Sequence, residues 1–177
     1  TSRERMTYWL ISDTHFNHDK IEKWGGRSGN WQEKIWLGLM RLPANDVLIH
    51  LGDICIGDDE DVHELIYQIR ARKILVRGNH DKKSPTWYME HGWDFVCDGL
   101  HLLYRGHYLF LSHRPAYPTD QFTMNIHGHT HGNLHRVEEY ASFYDPTYHR
   151  DVSPEIVGYQ PVSLDSVLKL RVVDKNG

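Results

Sequence analysis

Cysteine is almost missing from this sequence: Cys55 and Cys97 are the only two in 177 residues. Neither belongs to a Cys-x-x-Cys pair, so a disulfide framework is excluded and a reducing, cytoplasmic compartment is expected. Long apolar runs are missing too. No stretch approaches the roughly 20 residues that cross a bilayer. The polar start, Thr1 to Arg5, leads into no apolar core of the roughly 7–15 residues a signal peptide requires, so no membrane partner is expected. Positive charge is not in excess either. Twenty Lys and Arg against 24 Asp and Glu leave a formal charge of −4, without the basic cluster that grips an extended nucleic-acid duplex through its phosphates. Repeats and low-complexity tracts are absent.

What is present is one domain's worth of chain and a surplus of histidine. A length of 177 residues with 40% apolar and 25% charged side chains suits a single globular domain. It is assigned to residues 6–177, with residues 1–5 an N-terminal extension or expression remnant ahead of Met6. Histidine occurs fourteen times. Several copies stand beside Asp, Asn or Gly where apolar runs stop, and imidazole in such company points to metal ligation.

The first half alternates strand and helix. Tyr8 to Ser12, Asp46 to Leu51 and Lys73 to Val76 are short apolar runs that read as buried strands. Between them, Trp31 to Leu42 and Glu60 to Ala71 carry apolar residues at helical spacing, and Pro43 stops the first. This is the pattern of an α/β sheet with parallel pairs. The second half is β-rich. Leu100 to Tyr104 and His107 to Leu111 flank Arg105-Gly106 as a hairpin, and Thr123 to Ile126 is a further strand. Residues 133–158 show no period and are expected to be mostly loop with one strand, followed by a closing helix from about Ser163 to Leu170.

Five polar clusters each follow an apolar strand: Asp13-Thr14-His15, Gly52-Asp53, Gly78-Asn79-His80-Asp81, His113, and Gly128-His129-Thr130-His131. In open α/β sheets ligands bind beyond the carboxyl ends of strands, so clusters distant in sequence are expected to converge there. Mixed carboxylate and imidazole donors suit Mn, Fe, Zn or Ni, whereas an all-oxygen set would suit Mg or Ca. In the Asp-x-His and His-x-His pairs, alternate residues of an extended segment would face one centre. A dinuclear site also needs a bridging carboxylate, and Asp53 is the choice because Gly52 frees its backbone.

In this order the set DTH, GD, GNHD, SH and GHTH resembles the calcineurin-like metallophosphoesterase superfamily, in particular its small capless bacterial and phage members. The clusters span Asp13 to His131, about two thirds of the chain. The resemblance implies a four-layer α/β/β/α sandwich, two mixed sheets packed face to face between helices. It implies two divalent ions, with Mn2+ favoured: Asp13, His15 and His131 on one, Asn79, His113 and His129 on the other, Asp53 between them. It leaves His80 unligated over the phosphate as the catalytic residue, stabilising charge or protonating the leaving oxygen while a metal-bridged hydroxide attacks in line. One departure is that Gly52-Asp53 continues as Ile54-Cys55-Ile56-Gly57-Asp58. This lacks the Asp and Arg-Gly of the protein-phosphatase branch, so that branch is not expected and nothing in the sequence identifies what orients His80.

Other residues carry weaker expectations. Asn17, His18 and Arg114 are candidate substrate contacts, with solvated loop residues or a surface ion pair as the plainer readings. His50 and His127, inside apolar runs, read as satisfied core histidines. Tyr140, Phe143, Tyr144 and Tyr148 read as loop packing more than as a wall for a nucleobase. Asp58 to Asp61 read as a solvated helix start. The expected activity is hydrolysis of a small, nucleotide-like phosphodiester. A phosphomonoesterase, a nuclease, and a metal-binding interaction scaffold of the same fold are the alternatives.

Overall fold

The computed structural model describes residues 5–18, 20–21, 26–27 and 29–169, with only the backbone at 134. The first half builds β1 (Tyr8–Ile11), α1 (Trp31–Met40), β2 (Val47–His50), α2 (Asp59–Ile66), β3 (Arg72–Val76), α3 (Pro85–Glu90) and β4 (Phe95–Cys97). The second half builds β5 (Leu100–Tyr104), β6 (His107–Leu111), β7 (Met124–His127), α4 (Leu134–Glu138), β8 (His149–Asp151), α5 (Pro154–Val157), β9 (Val162–Ser163) and α6 (Leu164–Lys169). They form two mixed sheets flanked by helices. The five-stranded sheet runs β4-β3-β2-β1-β9 and the four-stranded sheet β5-β6-β7-β8. In the first, β1 to β4 are parallel and β9 is antiparallel. In the second, β5 and β6 are antiparallel while β6, β7 and β8 are parallel.

The apolar runs of β1 and β2 are continuous because both faces of their sheet are covered. Ile11, Leu48 and Leu75 point toward the helices, where they meet Trp31, Ile35, Leu39, Val62 and Ile66. Leu10, Ile49 and Val76 point the other way, into a second core with Leu109, Leu111 and Ile126 of the facing sheet and with Leu164 and Val167 of α6. The hairpin between β5 and β6 pairs Leu100 with Leu111 through Tyr104 with His107. Its two turn residues, Arg105 and Gly106, both have positive φ, as the favoured two-residue turn demands.

Several elements differ from expectation. The second helix stops at Ile66, not Ala71: Gln68 and Ile69 donate to Leu65 and Ile66 in a tightened turn, while Ile69 and Ala71 stay buried and so preserve the apolar period beyond the helix. Helix α3 is too short to show a period, but Ser84 caps it by accepting from the Trp87 amide and Pro85 opens it. Residues 133–158 are mostly loop with one strand, β8, as expected, but they also hold two short helices that are not expected. Asn133 accepts from the His135 amide at the start of α4, and Pro154 opens α5. The last residue assigned to the closing helix, Leu170, lies outside the described residues. No helix among the described residues is long and apolar enough to cross a membrane.

Candidate metal centre

The parallel runs β1-β2-β3 and β6-β7 end at one edge of the molecule, and all five polar clusters leave from those ends. The loops after β1 and β2 run side by side: amides of Asp13, His15 and Phe16 donate to carbonyls of Gly52, Asp53 and Ile54 at 2.8, 3.1 and 2.9 Å. Asp81 ties the next loop to them. Its carboxylate accepts from the amides of Asp53, Ile54 and Gly78 at 2.8, 3.0 and 2.7 Å. Burial nevertheless pushes its pKa up to about 6. On the other sheet, Asp151 accepts from Thr130 Oγ1 and the Gly132 amide, which fixes the loop carrying His129 and His131.

Two three-residue groups result, each with donor atoms within 4.8 Å of one another: Asp13, His15 and His131, and Asp53, His113 and His129. Each draws on both sheets. Asn79 joins the second group, its Oδ1 lying 2.9 Å from His113 Nε2. Between the groups sits Asp53 Oδ2, 3.6 Å from His15 Nε2 and 3.3 Å from His113 Nε2.

The convergence does not arise from the extended backbone expected for Asp-x-His and His-x-His. Asp13, His15, Asp53, His129 and His131 all have φ between 45° and 69°, the left-handed region that costs a non-glycine residue about 1 kcal/mol or more. An extended segment would space the paired side chains along the strand direction, whereas these turns fold both toward one point. The neighbouring glycines serve close approach between loops. A methyl at Gly78 would overlap Asp53 Oδ1, and one at Gly128 would overlap Asp13 Oδ2 and Ser12 Oγ.

Each carboxylate divides its labour. Asp13 Oδ2 accepts from the His129 amide at 2.7 Å and from Ser12 Oγ at 2.6 Å, while Oδ1 is buried with no hydrogen-bond partner and faces His15 and His131. Asp53 Oδ1 accepts from the His80 amide at 2.8 Å, and Oδ2 turns inward. The imidazoles follow the same logic. His113 Nδ1 donates to the Leu51 carbonyl at 2.7 Å and His131 Nδ1 lies 3.2 Å from both Glu155 oxygens, which leaves each Nε2 as the inward atom. Both ring nitrogens of His15 are buried and unpartnered. Orphaned buried polar atoms are costly. A set of them facing one another, on borderline donors, fits divalent cations.

With no cation, protons must balance the carboxylates. Burial opposes charge on His113 and His131, yet Asp13 with Asp53 for the first, and Asp13 with Glu155 for the second, outweigh it and push both up to about 9. His129 goes the other way, held down to about 4 by burial and by His113. Asp13 and Asp53 are both held below the ordinary carboxylate range by these histidines, against the opposing effect of burial.

Sequence reading gives no role to Arg27 or Glu155. Arg27 is 3% exposed and donates from Nη2 to the Asp13 carbonyl at 2.7 Å, from Nη1 to the Thr14 carbonyl at 3.2 Å and from Nε to Glu155 Oε1 at 2.6 Å. The only sequence signal is an arginine after two glycines.

Two clefts flank the centre. One, of about 450 Å³, is lined by Asn79, His113, Arg114 and the ion-paired Arg77 and Asp98. The other, of about 460 Å³, is lined by His15, His18, His80, His131, Asn133 and Arg136. The expected substrate contacts therefore separate. Arg114 lies in the first cleft and His18 in the second, its ring 5.6 Å from that of His15. Asn17 lines neither and donates its amide to Gln32. His80 is exposed, and its ring makes no hydrogen bond among the described residues. His50 bonds Thr14 and the Gly52 amide, and His127 bonds the Gly128 carbonyl and Tyr144, so both are satisfied core groups. Tyr144 and Tyr148 pack on His149 and Phe143 on Tyr140, as loop packing requires.

A family model described as a calcineurin-like phosphoesterase superfamily domain matches residues 6–146. Uncharacterized protein MJ1445 of Methanocaldococcus jannaschii is 31% identical over 176 residues, covering 92% of this chain and 89% of that protein. Among solved structures, the protein of unknown function AQ665 from Aquifex aeolicus is similar with a TM-score of 0.76 and 26% identity, covering 94% of this chain and 100% of that one. A structure described as a novel archaeal phosphodiesterase is more distant, with a TM-score of 0.49 and 18% identity over 84% of this chain and 83% of that one.

Proposed function

The chain belongs to the calcineurin-like phosphoesterase superfamily, and on that premise we propose that it hydrolyses small phosphodiesters, nucleotide-like ones favoured, with two divalent ions of which Mn2+ is the leading candidate. Asp13, His15 and His131 would hold one ion, Asn79, His113 and His129 the other, and Asp53 Oδ2 would be shared. When bound, such a pair supplies Lewis acidity toward phosphoryl oxygens and a nucleophile at neutral pH. Two dications against the charges of Asp13 and Asp53 also leave the site positive on a net negative chain, which suits an anionic substrate.

The remaining chemistry is assigned to the chain's own groups. The His80 amide fixes the shared carboxylate through Asp53 Oδ1, and its imidazole, exposed in the cleft and edge-on to the His15 ring, protonates the leaving oxygen or stabilises phosphoryl charge. Arg114 offers a guanidinium to a substituent in one cleft, and His18 a ring nitrogen in the other.

The observation that carries the preference for a diester is the pair of clefts, similar in volume, one lined by Asn79 and His113 of one ligand group and the other by His15 and His131 of the other. A monoester would fill one. The test compares bis-p-nitrophenyl phosphate with p-nitrophenyl phosphate in Mn2+ and after chelation. Diester turnover that disappears with chelator is expected. A strong monoester preference would reverse the order, and undiminished turnover after complete metal removal would end the metal-dependent reading.

A further inference from the structure

We infer that Arg27 and Glu155 are positioning residues for one half of the centre: they align Asp13, His15 and His131 and leave the Asp53, His113 and His129 set alone. The inference rests on the two-ion reading above and deepens it. Asp13 and His15 sit in left-handed backbone, a conformation that persists only where surrounding contacts hold it. Arg27 supplies those contacts by donating to the carbonyls of Asp13 and Thr14. Its guanidinium stacks 4.7 Å from the centre of the Trp31 ring, so it is fixed from a second side by a buried aromatic at the start of α1.

Glu155 connects this loop to the other sheet. It takes the Nε hydrogen bond of Arg27 at 2.6 Å, and the same carboxylate lies 3.2 Å from His131 Nδ1. A proton held on Nδ1 keeps Nε2 free to ligate, and a carboxylate behind an imidazole makes it a stronger donor. The pair thus spans 128 residues of sequence and reaches all of one ligand set through the Asp13 and Thr14 carbonyls and the His131 ring. His113 has its own support, the Leu51 carbonyl, and the His129 amide is held by Asp13 Oδ2, which also takes the Ser12 hydroxyl, not by Glu155, so the second set should not feel the loss of the Glu155 charge.

The experiment uses full-length protein, metal-stripped and then titrated with Mn2+ for stoichiometry and with Co2+ for its absorption spectrum. Glu155→Gln should lower affinity for one ion by roughly 10–100-fold and leave the other at the wild-type value. The ion retained should have the Co2+ spectrum of the ion retained in His131→Ala. A double variant, Arg27→Met with Glu155→Leu, replaces the buried ion pair by apolar side chains, an exchange that often preserves stability. It should fold with a near-normal Tm and still show the one-site defect. Loss of both ions alike, loss of the ion missing in His129→Ala, unchanged affinity in Glu155→Gln, or full recovery in the apolar double variant would each overturn the inference. A wild-type protein that takes up no divalent ion would instead overturn the two-ion reading before any variant is compared.

Discussion

At the scale of the residue, the proposed function has His80 separate chemistry from ligation. Its backbone amide serves Asp53 while its imidazole lies exposed in the cleft, so replacing the ring should not disturb the ligand atoms. His80→Asn is expected to keep both ions and to lower kcat by roughly 10²–10⁴-fold. The loss should be smaller for a p-nitrophenolate leaving group, which needs little protonation. Metal analysis with kcat over a leaving-group series checks this, and a missing ion in the variant would make His80 a ligand. The groups gathered around the centre could be read in the sequence because each stands beside glycine or a second polar residue at the end of an apolar run. Their supports could not. Arg27 and Glu155 lie 128 positions apart with ordinary neighbours, and only the crossing of a loop and a helix start puts them in contact. Asp81 was visible in the Gly-Asn-His-Asp cluster, but its task, accepting three backbone amides, depends on a loop from a different strand.

At the scale of the element, the functional parts are the turns that follow β1, β2, β3, β6 and β7, packed closely enough that a side chain at certain positions has nowhere to go. Gly128→Ala is expected to push Asp13 out of place, because the added methyl meets Asp13 Oδ2 and Ser12 Oγ while the strands behind stay paired. Far-ultraviolet circular dichroism should be unchanged and metal occupancy reduced. Unaltered occupancy would show that the loops yield more readily than their geometry implies. The parallel half and the hairpin were legible because apolar runs of four or five residues alternate with helical periods. The short elements were not: β4, β9 and α5 have three, two and four residues, too few for any period to emerge, and partners distant in sequence set their places. The reason assigned to the paired ligands also failed at this scale. Left-handed backbone at Asp13 and His131 is set by hydrogen bonds between loops, which no local pattern encodes.

At the scale of the whole molecule, buried histidines make stability depend on pH. Burial holds His50 down to about 3 and His129, with help from His113, to about 4. It also lowers His63 and His127. Unfolded histidine titrates near 6.5, so below that pH the unfolded chain takes up more protons than the folded one, and stability falls as pH falls. Asp81, raised to about 6 by burial, opposes this with a single proton. In metal-free protein His113 and His131, raised to about 9, reverse the sign above 6.5, where the folded chain holds the extra protons and stability is lost as pH rises toward 9. Urea midpoints of chelator-treated protein should therefore peak near pH 6.5. Saturating Mn2+ should weaken the alkaline decline, since ligation requires those two rings unprotonated. A flat profile from pH 4.5 to 9 would contradict both the buried neutral state of His50 and His129 and the protonated state of His113 and His131 in metal-free protein.

Each proposed ligand set takes members from both sheets: Asp13 and His15 from one with His131 from the other, and Asp53 and Asn79 with His113 and His129. Ions held this way would act as rivets between layers that otherwise meet through apolar side chains and a few hydrogen bonds, among them His129 to Asp13 and His113 to the Leu51 carbonyl. Neither sheet alone carries a complete set, so the centre cannot exist before the layers have docked. The appearance of a Co2+ spectrum during refolding would then time that docking event, and free metal concentration would set how firmly the layers stay closed.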